Sequence, residues 1–586
     1  MGEAIGDPRE RVAAAADPLD PEAARLAAIE SAEARWQQQT RGPSVAAEGE
    51  RKAAFRTQAL DWEIAPLYTP LDLADAGFDY LQDLNFPGQY PFTRGTEPNG
   101  KRTRLWTMAQ VTGFGRGMAW AERARYMLDQ GLQGLILEYD LPTTNGYDSD
   151  NPLVAGEVGR AGMALDSLED MVEAFDLPFG KLKYLMSVCN APQPVNLAMI
   201  LAALEARGVD PKDFVLHIVN GILIEYTCVG RYIYPPQHGL RIATDCFEWI
   251  VRNQPHWAPI SIIAAQLQPA RANPVQEIAF SITIAMAYID AMLARGFDID
   301  TVAPYFHFVI NIDMDFFEGI CKLRAFRKLW ARTMKERYGA TAPAAMKLRV
   351  MSSPSTTSLT LQQPLNNIGR LAIMATACAL AGAGETMTTP LHDEAHALPS
   401  DEAIRVGAAI QHLVAHETGV ADTIDPLAGS YYVETLTKKI EAAAEAEIDR
   451  VVGMGGALQA IAQGYFQREL GHEQFRRQRE METGRRKLVG VNHLVVEEKK
   501  RELEIWRLAE DMEAQQVEKL AKLRARRDAA AVAAALEGVR EAARCGRNLV
   551  EPCLVAVKAL ATHGEICDAM RSVFGEHHPD SQTAGV

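Results

Sequence analysis

The sequence predicts a parallel (β/α)8 barrel, and three observations carry that reading. Eight short runs rich in apolar and β-branched residues recur at 105–108, 135–137, 185–188, 214–219, 260–265, 307–312, 348–352 and 385–389. Helical patterns fall between them, among others at 119–130, 167–175, 194–206 and 275–295. The alternation continues unbroken through the middle of a 586-residue chain, as βαβ units wrapping one parallel sheet require. An open doubly wound sheet is the other arrangement of the same alternation.

Taken in order, residues 1–60 are rich in Ala, Glu, Arg and Gln with little aromatic content, and read as a charged helical extension. The barrel is expected over 61–435. It should finish near the turn D-P-L-A-G-S-Y-Y-V-E at 425–434. A helical region is expected over 436–586, with interleaved charges over 497–534 and an amphipathic helix pair over 548–575. Small polar residues interrupt several strand runs: Ser187, Ser261, Ser352, Ser353 and Thr386. They predict a barrel axis lined by hydroxyls with room for a ligand; the bland alternative is capping at strand ends.

Composition narrows the function. A net charge of -16 argues against nucleic acid as a partner. Eight cysteines without a CxxC pair argue for reduced thiols rather than a disulfide frame or structural zinc. The longest apolar run, around 371–384, reads as a buried helix, and the first residues lack a signal core. The expectation is a cytoplasmic protein without a membrane span or a metal site.

Four chemical motifs are set aside. Gly113-Phe-Gly115-Arg-Gly117 lacks the third-glycine spacing and the acidic residue of a dinucleotide site. His392 and His396 enclose Asp-Glu-Ala and so miss the His-Glu-x-x-His order. His412 and His416 read as core or capping residues, and no G-x-S-x-G nucleophile elbow occurs.

One stretch stands apart. Residues 86–114 combine Pro, Gly and aromatics with a basic cluster, Arg94, Lys101, Arg102 and Arg104, placed just before Trp106. Such a segment can cross a face, offer cations to an anionic ligand, and enter the core.

The same stretch carries a resemblance. P-G-Q-Y-P-F-T-R-G at 87–95 resembles the substrate-entry segment of the adenosylcobalamin-dependent acyl-CoA mutases. Y-D-S-D at 147–150, Y-I-Y-P-P at 232–236, D-F-F-E at 315–318, residues 421–434 and G-V-N at 490–492 resemble further family segments, in order and spacing from about 64 to about 575. The resemblance implies a (β/α)8 barrel with the acyl-CoA threaded along its axis and radical 1,2-rearrangement of a carbon skeleton. The D-x-H-x-x-G mark of a cobalamin module is not found in this sequence. The resemblance therefore implies a large subunit that works with a separate small cobalamin-binding subunit, in a heterotetramer, with a G-protein chaperone as a further partner.

Carried over by position, Arg104 matches an arginine that meets CoA phosphates. Gln110, Val111, Ser187, Val219 and Val229 fall at substrate positions. Tyr139, Leu141, Thr143 and Ala161 fall against the corrin, and Glu394 near the adenosyl ribose. Val111 stands where methylmalonyl-CoA mutase has a tyrosine, and Val229 where it has the arginine that pairs with the substrate carboxylate. A buried carboxylate facing valine loses its partner at about 3–5 kcal/mol, or about two to four orders of magnitude. Dicarboxylic substrates are disfavoured. Glu138 matches the aspartate that meets the substrate hydroxyl in the 2-hydroxyisobutyryl enzyme; the alternative is a strand-end glutamate paired with an arginine. Gln266 replaces the histidine that meets the thioester carbonyl, with Ala265 beside it, and its amide can donate the same bond without a charge. Met351-Ser352-Ser353 and Thr388-Thr389-Pro390 replace two further polar runs. The expected activity is mutation of a branched, hydroxylated or bulky acyl-CoA. The rival is a non-catalytic homologue that binds acyl-CoA or the cobalamin subunit.

Overall fold

The computed structural model describes residues 21–396, 399–496 and 511–578. Eight parallel strands form one sheet: β1 (Thr107–Thr112), β2 (Gly134–Glu138), β3 (Tyr184–Val188), β4 (Val215–Val219), β5 (Ile260–Ile262), β6 (Phe306–Ile312), β7 (Arg349–Pro354) and β8 (Thr386–Thr388). Their order is β4-β3-β2-β1-β8-β7-β6-β5. Ala258 closes the ring, donating its N–H to the Leu216 carbonyl and accepting from Ile218, each at 2.9 Å. The predicted barrel is present.

Alternation along each strand sorts side chains between two compartments. Leu135, Leu137, Leu185, Leu216, Ile218, Ile260, Ile262, Phe308 and Ile310 face the surrounding helices in one large core. Ala109, Ile136, Tyr184, Met186, Val188, Val219, Val309 and Met351 form a second cluster inside the ring.

That parity divides the hydroxyls expected on the axis: Ser261, Ser353 and Thr386 face inward, whereas Ser187 and Ser352 do not. Ser352 and Ser353 are neighbours and must face opposite ways. Ser352 turns outward and donates to the Ala383 carbonyl at 3.0 Å. Ser187 also turns outward, against Asn196 at 2.8 Å and the Tyr139 hydroxyl at 3.1 Å. The floor of the axis is instead filled by Tyr184, His217, His307 and Met351.

The helices follow their sequence signals. Helix Pro274–Ala294 starts at a capping box in which Asn273 accepts from the Gln276 N–H. It is long and apolar enough to cross a membrane by length and composition, yet most of it is buried here, packed against helix Tyr431–Gly453. The run 425–434 is the turn into that helix, with Ser430 as its N-cap. Arg324, itself 1% exposed, bridges Asp425 at 2.5 Å and Glu434 at 2.7 Å. Removing one partner of such a buried set costs about 3–5 kcal/mol, because the other charge stays buried.

Beyond the barrel, helices Met512–Arg526, Ala529–Cys545, Val550–Lys558 and His563–Phe574 complete the chain. The first of these is more than a solvated layer. Arg524 pairs with Asp148 at 2.8 Å, Lys519 with Asp170 at 2.7 Å, and Gln516 donates to Asp166 at 2.9 Å. The expected charged run over 497–534 lies partly outside the described residues, as does the start of the N-terminal extension. Within that extension, helix Pro21–Trp36 has no buried residue. His412 and His416 stack at 5.8 Å on the outer side of helix Asp401–Glu417, with His416 exposed, so neither is a core histidine.

Candidate active site

The two ends of the barrel carry different chemistry. At the N-terminal end, a cavity of about 570 Å³ is lined by Arg94, Lys101, Arg104, Arg327, Glu385 and Asp425 among others. Several of its cations already have partners, although an ammonium that makes one hydrogen bond keeps two further donors. Arg94 pairs with Asp425 at 3.3 Å, and Lys101 donates to the Gly384 carbonyl. Arg327 donates to the Ala381 carbonyl at 2.7 Å. Arg104 is exposed and has no hydrogen-bond or ion-pair partner among the described residues. Burial pushes the Lys101 ammonium down to about 8. A free guanidinium over a basic hollow suits phosphate oxygens.

The C-terminal end is where βα-loops converge and barrel enzymes place their chemistry. Register puts Glu138 opposite Val188, and Val188 opposite Val219, so these three share one inward-facing level. Val111 lies one level deeper, opposite Ile136. It is 41% exposed, a large value for an inward strand residue and the mark of an open mouth. Arg104 and Val111 are separated by roughly 23 Å along an extended strand. A ligand that touches both must run along the barrel.

Glu138 is the polar centre of this mouth. Its Oε2 is buried and has no hydrogen-bond partner. Burial pushes its carboxyl up to about 7, opposed by Arg231 and reinforced by Glu225. Gly113 makes this packing possible, since a Cβ there would lie 2.5 Å from the Glu138 carbonyl oxygen. Arg231, Glu225 and Asn190 escaped the sequence reading. Arg231 stands two residues after Val229 and reaches Glu225 at 3.3 Å, and Asn190 donates to the same carboxylate at 2.5 Å. Its guanidinium is already committed. A carboxylate brought here would make a third acid around one cation.

Gln266 follows β5 in a short helical turn, Ala264–Leu267, and its Oε1 is buried without a partner. The Cys228 thiol donates to the Gln266 backbone carbonyl at 3.7 Å, so the segment that carries Val229 packs against the turn that carries Gln266. Thr388 and Thr389, at the end of β8, also carry buried hydroxyls without partners. The structure therefore brings together Val111, Glu138 and Val219, while Val229 and Gln266 lie on adjoining segments after β4 and β5. Leu141, 41% exposed, and Ala161, also exposed, sit on the loops after β2.

Other expected residues lie elsewhere. Gln110 turns outward, its Oε1 toward Gly407 of the helix Asp401–Glu417. Tyr139 turns outward with Ser187. Thr143 is buried and accepts from the Leu165 N–H at 3.1 Å. Glu394 is exposed in the turn after β8 and accepts from the Leu391 N–H at 3.0 Å. Parity explains the first two: the residue next to an inward strand position faces the helices.

Comparison with known proteins settles the family. The methylmalonyl-CoA mutase family matches residues 57–576. The chain belongs to that family. It is 34% identical to the 2-hydroxyisobutanoyl-CoA mutase large subunit of Aquincola tertiaricarbonis, over 94% of this chain and 97% of that one. It is 39% identical to methylmalonyl-CoA mutase of Cereibacter sphaeroides, over 89% of this chain and 72% of that one. It is 36% identical to the methylmalonyl-CoA mutase large subunit of Streptomyces virginiae, over 92% of this chain and 75% of that one. This acyl-CoA mutase is thus an isomerase, in a family that depends on B12.

The mouth fits such a cofactor. It offers an exposed leucine and alanine as an apolar rim, and buried polar atoms on Glu138, Gln266 and Thr388 that find no partner among the described residues. Buried polar atoms are normally paired, so a cluster of orphans at one end of a barrel marks a ligand.

Proposed function

We propose that this mutase is the large subunit of an enzyme that rearranges a branched, hydroxylated acyl-CoA of the 2-hydroxyisobutyryl class. One observation carries the reading: the Glu138 carboxyl stands on the inward level it shares with Val219, one level above Val111, with its Oε2 unpartnered among the described residues. The full-length similarity to a 2-hydroxyisobutanoyl-CoA mutase large subunit supports it.

Each residue then has a physical task. Arg104 and Lys101 hold the phosphates at the floor. Gln266 donates its amide N–H to the thioester carbonyl, and Glu138 accepts the hydrogen bond of the substrate hydroxyl. The three valines exclude water from the reacting carbons, which protects a reactive intermediate. Leu141, Ala161 and Glu394, with the backbone of the Tyr139–Thr143 segment, would hold adenosylcobalamin at the rim together with a separate small subunit. When bound, that cofactor supplies the radical that takes up and returns the migrating hydrogen.

The test is turnover of the assembled enzyme, with adenosylcobalamin, on a panel of acyl-CoAs. Isomerisation of 2-hydroxyisobutyryl-CoA above isobutyryl-CoA and methylmalonyl-CoA supports the reading. Binding of acyl-CoA without turnover of any panel member would instead support the non-catalytic homologue.

A further inference from the structure

A layer of side chains lies across the barrel axis between the floor cavity and the mouth. In a ring ordered β4-β3-β2-β1-β8-β7-β6-β5, β3 and β7 are diametrically opposite. The Tyr184 hydroxyl on β3 nevertheless reaches the Met351 sulfur on β7 at 3.9 Å. The contact spans the axis. The Tyr184 ring lies 4.6 Å from the His217 ring, which lies 4.4 Å from His307. Ser261 holds His307 Nδ1 at 3.3 Å. Tyr184, His217, His307 and Met351 are between 0% and 4% exposed, so this layer is shut.

Two features distinguish the layer from an ordinary core. The His217 Nδ1 and His307 Nε2 atoms are buried with no partner. Two unsatisfied imidazole nitrogens in one apolar layer are costly, and they lie between an anion-binding floor and an acyl site. Burial holds both rings neutral, with His307 pushed down to about 3 and His217 also well below its ordinary value. A neutral imidazole either donates or accepts, which suits an amide. The closing contact is also weak. A thioether is a poor acceptor on a flexible side chain, and the Tyr184 ring rests in space left by Gly134, where a Cβ would lie 3.2 Å from Tyr184 Cδ1.

We propose that Tyr184 is a gate across the barrel axis, closed against Met351 in the free enzyme. Its displacement lets the amide-bearing arm of a CoA thioester pass, with His217 and His307 taking up the arm's amide groups. The inference rests on the acyl-CoA reading of the site, with the nucleotide end at Arg104 and the acyl end at Glu138. The gate makes binding a two-step process. Docking at the floor comes first, and a slower opening that does not depend on ligand concentration follows.

Stopped-flow tryptophan fluorescence of the full chain mixed with isobutyryl-CoA tests this. The wild type should show a concentration-dependent fast phase and a saturating slow phase. Tyr184→Ala should speed the slow phase by about tenfold or more, the effect of removing a barrier contribution of about 1.4 kcal/mol. Met351→Ala, which opens the same contact from the opposite strand, should do likewise, and it guards against a misfolded tyrosine variant. His307→Phe should leave the opening rate of the wild type and weaken the final complex. An unchanged slow phase in both alanine variants, with isobutyryl-CoA still bound, overturns the gate. Failure of wild type and variants alike to bind isobutyryl-CoA overturns the acyl-CoA reading itself, and the gate with it.

Discussion

Replacing Glu138 by glutamine probes the account at its most specific point. The substitution keeps the shape and one acceptor oxygen but removes the charge. A hydrogen bond to an ionised group contributes about 1.5–3 kcal/mol, so losing it should cost about 10- to 150-fold. The loss should fall only on substrates that carry the hydroxyl. The quantity to measure is the ratio of kcat/KM for 2-hydroxyisobutyryl-CoA to that for isobutyryl-CoA, in the assembled enzyme. The pH profile gives a second, independent readout. Burial pushes the Glu138 carboxyl up to about 7, so the accepting carboxylate is lost as pH falls below that value. For the wild type, kcat/KM on the hydroxylated substrate should fall about tenfold per pH unit below 7 and level off above it. The glutamine variant should lack that limb. An unchanged substrate ratio, with the acidic limb retained, would refute the role given to Glu138.

Further outcomes follow from the same geometry. Burial lets the native Glu138 hold its proton up to about 7 while an unfolded glutamate loses it near 4.5; the native state thus binds more protons in that window, and stability falls as pH rises through it. Glu138→Gln should accordingly raise Tm at pH 8 and change it little at pH 4, by calorimetry. Gln266→Leu should lower kcat by about two- to tenfold, one neutral hydrogen bond, with Gln266→His restoring most of it. Arg104→Ala should weaken CoA binding by about tenfold or more, and should flatten its salt dependence, by titration calorimetry. CoA affinity should also decline as pH rises through about 8, where Lys101 gives up its proton, and Lys101→Met should abolish that decline.

Much of the fold was legible because strand and helix periods differ. The apolar runs at 135–137 and 185–188 lie within β2 and β3, the pattern at 194–206 lies within helix Gln193–Arg207, and that at 275–295 overruns helix Pro274–Ala294 by one residue. The start of β1 was misplaced by two residues, since Leu105 and Trp106 are as apolar as the strand they precede. The site was harder to read. Position along a motif says which level of the barrel a residue occupies, but the facing direction depends on strict alternation from a correctly placed strand start. Ser187 and Gln110 were therefore credited to the axis although they face helices. Tyr184, His217 and His307 were passed over, although the inward parity of β3, β4 and β6 includes them. Arg231 was hidden by an irregular loop after β4, where neither period applies.

The most direct measurement is the specificity of the assembled, adenosylcobalamin-loaded enzyme for two acyl-CoAs of similar size. The valine wall and the crowded Arg231 predict that kcat/KM for 2-hydroxyisobutyryl-CoA exceeds that for methylmalonyl-CoA by about two orders of magnitude or more, the scale of an unpaired buried carboxylate. Methylmalonyl-CoA emerging as the better substrate would contradict it.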